Sequence, residues 1–67
     1  MKKTKLEIRK MDCPSEVKMI EGAIERIDES IKMEFDLGDR TVNFYHSGDL
    51  NLILKGLDDI SLPGTLL

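Results

Sequence analysis

The stretch Ile31-Lys32-Met33-Glu34-Phe35-Asp36-Leu37, then Gly38-Asp39, then Val42-Asn43-Phe44-Tyr45, decides the fold. Ile31, Met33, Phe35 and Leu37 alternate with Lys32, Glu34 and Asp36, the period of two that marks a strand with one buried face. Gly38-Asp39 supplies a tight hairpin turn. Val42 and Phe44 then point inward and Asn43 and Tyr45 outward in a return strand. A hairpin therefore lies at the middle of the chain, and its flanks determine the architecture.

On the N-terminal side, Val17, Ile20, Ile24 and Ile27 recur at three, four and three residues, with Ala23 beside them. This spacing predicts an amphipathic helix over about residues 15 to 27. Ser15 or Asp12 is placed to cap its first amides, and Glu16 suits the positive end of its dipole. Asp28 and Glu29 are unfavourable at a helix C-terminus, so the helix should have ended there. On the C-terminal side, Ser47-Gly48-Asp49 starts a second helix over about residues 49 to 57. Leu50, Ile53, Leu54 and Leu57 form its apolar stripe. Leu6 and Ile8, and by period Lys10, share one face of a first strand over about residues 3 to 10. The tail from Ile60 to Leu67 is apolar, and Pro63 limits it to an edge strand.

The order β-α-β-β-α-β, with one apolar face per helix and per main strand, is that of an α+β ferredoxin-like sandwich. A four-stranded antiparallel sheet with both helices on one face is expected. Sixty-seven residues allow one domain, 1–67, and a chain this short buries only about 60% of its unfolded surface.

Thirteen acidic residues against ten basic ones give a net charge of −3, which disfavours a nucleic-acid partner. Lys2, Lys3 and Lys5 read as a solvated cluster. No apolar run approaches the roughly 18 residues of a membrane span. Met1-Lys2-Lys3 is not followed by the apolar stretch of a secretory signal. A single cysteine allows no internal disulfide, which fits a reducing compartment. A cytoplasmic location is expected, either alone or as the cytosolic domain of a membrane protein. Glu21, Glu25 and Glu29 form a like-charge row that discourages self-association, so a monomer is expected.

The distinctive chemistry lies in Met11-Asp12-Cys13-Pro14-Ser15-Glu16. Pro14 has a fixed φ and no N–H, so it suits a helix start. Cys13 then falls at the helix N-terminus, where free amides and the dipole favour the thiolate, the form that binds metal. Glu16, three residues on, can turn back toward the sulfur, and Asp12 can add an oxygen.

In that placement the segment resembles the heavy-metal-associated domain of copper chaperones, mercury-scavenging proteins and soft-metal P-type ATPases. The motif there is Gly-Met-x-Cys-x-x-Cys on the same β-α-β-β-α-β order. By this resemblance Met11 matches the motif methionine, a buried anchor of the loop, and Cys13 the first cysteine. Glu16 stands where the second cysteine would be, and Lys10 replaces the glycine. The Asp-Cys-Pro-Ser-Glu variant looks like that of N-terminal domains attached to bacterial cation transporters. A cation transporter or its membrane domain is the partner that this likeness implies.

One thiolate with carboxylates from Glu16 and Asp12 is a harder donor set than two thiolates. It suits a divalent transition metal, Zn(II), Co(II) or Cd(II), better than Cu(I). It also leaves the ion under-coordinated, so binding should be weak and exchangeable, for transfer or sensing. The competing reading is a degenerate domain that serves as an interaction or regulatory module without metal.

Met11, Met19 and Met33 read as packing residues. His46 is excluded from the site by topology, since the return strand carries it away from the Cys13 end. Asp39, Arg40, Asp58, Asp59 and Ile60 are expected beside the Cys13 loop. There is no Ser/His/Asp or Cys/His arrangement within reach and no phosphate-binding loop. The chain reads as a binding domain and not as an enzyme.

Overall fold

The computed structural model describes residues 1–67. Six elements follow in order: β1 (Lys2–Glu7), α1 (Pro14–Ile27), β2 (Lys32–Asp36), β3 (Thr41–His46), α2 (Leu50–Asp59) and β4 (Thr65–Leu66). The strands form one antiparallel sheet in the order β2-β3-β1-β4. This is the expected ferredoxin-like sandwich.

Period decides what is buried. Leu6 and Ile8 from the first strand segment and Val42 and Phe44 from β3 meet Ile20 and Ile24 of α1 and Ile53 and Leu57 of α2. Met11, Ile31 and Leu62 complete the core from the connections. β2 lies at an edge, so its inward Met33 and Phe35 are only half-buried. Leu37 and Ile27, at the ends of their patterns, are more than a third exposed.

Three connections differ from the pattern-based expectation. β1 ends at Glu7: the Ile8 amide still donates to the Arg40 carbonyl in register (2.7 Å), and the Met11 amide then turns the chain back onto the Ile8 carbonyl (3.0 Å). Lys10 is thereby turned out to solvent, and Met11 takes the inward place. In the β2–β3 hairpin the left-handed residue is Arg40 (φ 57°), not Gly38. The Asp36 carboxylate accepts the Asp39 amide at 3.0 Å, closing the turn through a side chain.

The third difference is β4, which spans two residues where a longer edge strand was expected. Leu62 first dips into the core, and Gly64 then passes close to it. A Cβ on Gly64 would lie 3.1 Å from both Leu6 Cδ1 and Leu57 Cδ1. Only after Pro63 and Gly64 can the chain pair, with Leu66 opposite Leu6 and Thr65 opposite Glu7.

Candidate metal centre

The loop after β1 is held from below. Ile8 and Met11 are both fully buried, so the chain between and beyond them is pinned, and Asp12 and Cys13 emerge at the surface. Cys13 is the N-cap of α1 in an extended conformation (φ −148°, ψ 162°), followed by Pro14 in the first turn. The sequence pattern favours Ser15 or Asp12 as the cap. Cys13 takes the position because Pro14 has no amide to donate and fits the first helical site.

Glu16 turns back over this corner. Its Oε1 accepts the amides of Asp12 (3.1 Å) and Cys13 (3.2 Å), the carboxylate half of a capping box. The Cys13 thiol donates to the same oxygen at 3.3 Å. With the thiol proton directed at Glu16, the Ser15 hydroxyl at 2.8 Å is the donor to sulfur. The Asp12 amide, then the Cys13 thiol and amide, hold the Glu16 carboxyl below its usual range.

Asp12, Cys13 and Glu16 each present one ligand atom, and the three lie within 4.8 Å of one another. Tetrahedral coordination with typical zinc bond lengths places donors about 3.3–3.5 Å apart. Small side-chain rotations would bring this set onto one ion, with Sγ as the soft donor and two carboxylates as hard ones. One Glu16 oxygen closes the helix start, which leaves Oε2 for another partner. Asp12 is exposed and Cys13 and Glu16 half-buried, so the corner is open to solvent on one side.

The remaining candidates sort by position. His46 pairs with Lys2, five residues of strand before Glu7, so about 17 Å of β1 lies between it and the end that leads to Cys13. It is buried, with Nε2 against Thr4 Oγ1 and Nδ1 against the Gly48 carbonyl, both at 2.9 Å. Because a carbonyl only accepts, Nδ1 is the donor to Gly48, and in the neutral ring Nε2 accepts from Thr4.

Arg40 does meet the Cys13 loop, its guanidinium donating to the Arg9 carbonyl at 3.2 Å. The Asp39 backbone amide is engaged by the Asp36 carboxylate in the hairpin turn. Ile60 lines one hollow together with Lys18 and Met19 of α1, a turn or more beyond Cys13. The α2 end therefore meets the flank of α1, offset from the metal corner. Met33 packs on the core, whereas Met19 is 47% exposed, against the expectation of packing. Ser15 as the partner of the sulfur was not anticipated. Its spacing of two from Cys13 was the available signal.

No protein-family model matches the sequence, and no curated protein matches it. Solved structures share its fold, among them the following three. A gold-binding protein superposes with a TM-score of 0.90 at 19% identity, covering 96% of this chain and 98% of that one. The copper chaperone Atx1 from Synechocystis PCC6803 gives 0.86 at 11% identity, covering 91% and 97%. Oxidized MerP from Ralstonia metallidurans CH34 gives 0.85 at 14% identity, covering 97% and 94%. At these identities the likeness is one of fold. No helix is long and apolar enough to cross a membrane.

Proposed function

We propose that this domain binds a divalent transition-metal ion through Cys13 Sγ, Glu16 and Asp12 and releases it to, or senses it for, a cation transporter in the cytoplasm. The convergence of those three donors within 4.8 Å carries the reading. The likeness of Met11–Glu16 to the heavy-metal-associated motif supports it, as does a fold shared with a gold-binding protein and a copper chaperone.

The donor set argues for Zn(II), Co(II) or Cd(II) over Cu(I), because two of its three members are carboxylates. Three protein donors leave at least one position to water. A donor from the acceptor protein can replace that water before the ion leaves, so transfer proceeds by ligand exchange. Binding a cation displaces the thiol proton that now points at Glu16, so affinity should rise with pH.

One observation favours the rival reading of a metal-free interaction module. The bonds from Asp12 and Cys13 to Glu16 Oε1 explain a glutamate at this spacing as a helix cap alone. Adding Zn(II), Co(II), Cd(II) and Cu(I) in turn to reduced, isotope-labelled protein separates the two. The metal reading expects amide shifts centred on residues 11–16 with the divalent ions. Silence of that segment with every ion below millimolar removes it.

A further inference from the structure

The outer side of the two helices carries a groove that neither the metal corner nor the core requires. Gly56 lets α2 close onto α1, since a Cβ there would lie 2.6 Å from Ile27 Cδ1. Beside this contact is a hollow of about 260 Å³ with Ile27 and Leu52 in its wall and Arg26, Lys55 and Asp59 on its rim. A second hollow of about 230 Å³ continues from it along α1 to Met19 and Lys18, sharing Ala23, Arg26 and Ile60. Leu52, Met19 and Ile27 are 53%, 47% and 37% exposed.

Charge identifies the occupant. The chain is net acidic, yet three cations and one anion surround this apolar strip. Lys18, Arg26 and Lys55 make no ion pair within the chain, whose one ion pair is Arg9–Glu7. Each hollow is smaller than the roughly 300 Å³ at which small-molecule pockets begin, so it suits single side chains. A second copy docked through the same groove would set these cations against each other.

We infer that the α1–α2 groove docks an acidic amphipathic segment of a partner protein. A leucine-sized anchor enters beside Ile27 and Leu52, and Asp or Glu residues of the partner lie against Lys18, Arg26 and Lys55. Such contacts favour fast, salt-sensitive association. The groove is separate from Cys13, so docking needs no metal.

The test uses the labelled full chain and two synthetic 16-residue helical peptides. One carries Leu at helical spacing with Glu elsewhere, and the other replaces each Glu with Lys. The Glu peptide should move the amides of Ala23, Ile27, Leu52 and Lys55, and the Lys peptide should bind at least tenfold more weakly. Arg26→Glu with Lys55→Glu, both at exposed positions, should invert that preference. Gly56→Ala, which pushes Ile27 into the hollow without altering charge, should weaken the Glu peptide severalfold. The inference is overturned if both peptides bind equally or shifts fall elsewhere. It is equally overturned if phosphatidylglycerol vesicles or a second copy occupy the groove where the Glu peptide does not. The result should not change with Cys13→Ser, so it stands or falls apart from the metal reading.

Discussion

The sulfur of Cys13 and the carboxylate of Glu16 are 3.3 Å apart, and the oxygen between them also accepts the amides of Asp12 and Cys13. One side chain thus closes the start of α1 and stands beside the thiol. Local fold and candidate chemistry are coupled at this point, and substitutions that keep one role and remove the other distinguish them.

Glu16→Gln keeps a carbonyl oxygen for the two amides and removes the carboxylate. The melting temperature at neutral pH should fall slightly, by the part of the cap that depends on the negative charge, while Zn(II) affinity falls at least about tenfold, the scale seen when a supporting group of a metal site is lost. Glu16→Ala should lose both. The carboxyl is held below its ordinary value of 4.5 in the folded chain. Its stabilising effect is therefore present above that value and disappears as pH falls through the lower, folded one. Acid melts should bring wild type and Glu16→Gln together, and a gap that widens on acidification would contradict this sign.

Met11 is fully buried with the core and is an anchor of the loop. Met11→Leu conserves volume and should cost less than about 1.5 kcal/mol while leaving metal binding intact. Met11→Ala should cost about 2–5 kcal/mol. Urea melts measure both, and loss of metal binding in a stable Met11→Leu protein would make the sulfur a ligand.

His46 ties Thr4 to the Gly48 carbonyl at the end of the sheet away from Cys13. His46→Ala should destabilise by about 1–3 kcal/mol, the cost of stranding buried polar partners, with metal affinity unchanged. Paired urea and metal titrations read the two effects separately.

On the open sheet face the Tyr45 hydroxyl donates to Glu34 Oε1 at 2.7 Å. That bond, then burial and the Glu34 charge, raise the phenol above 10.0. The contribution to stability is complete below the unfolded value and is lost as pH rises through the folded one. Phenolate absorbance should titrate above 10.0 in the wild type and shift down in Glu34→Gln.

Much of this was legible because burial follows period. Ile20 and Ile24, Ile53 and Leu57, and Val42 and Phe44 all occupy the faces that their spacing assigns. Glu16 beside Cys13 follows from a three-residue offset at a helix start. What stayed hidden depends on contacts between distant segments. Arg40 holds the left-handed place because its carbonyl takes the Ile8 amide and its guanidinium the Arg9 carbonyl, and no local rule names it. β4 is short because Gly64 must pass Leu6 and Leu57. The groove arises because Gly56 lets Ile27 approach, and the resulting offset of α2 carries Ile60 to the flank of α1.

Cobalt titration of reduced protein, followed by thiolate-to-metal absorption, addresses the donor set directly. The wild type should develop the band at sub-millimolar Co(II), Cys13→Ser should lack it, and Glu16→Gln should need at least tenfold more ion. A wild type that stays spectrally silent, or a Cys13→Ser variant that binds Co(II) as tightly, contradicts metal binding at the head of α1.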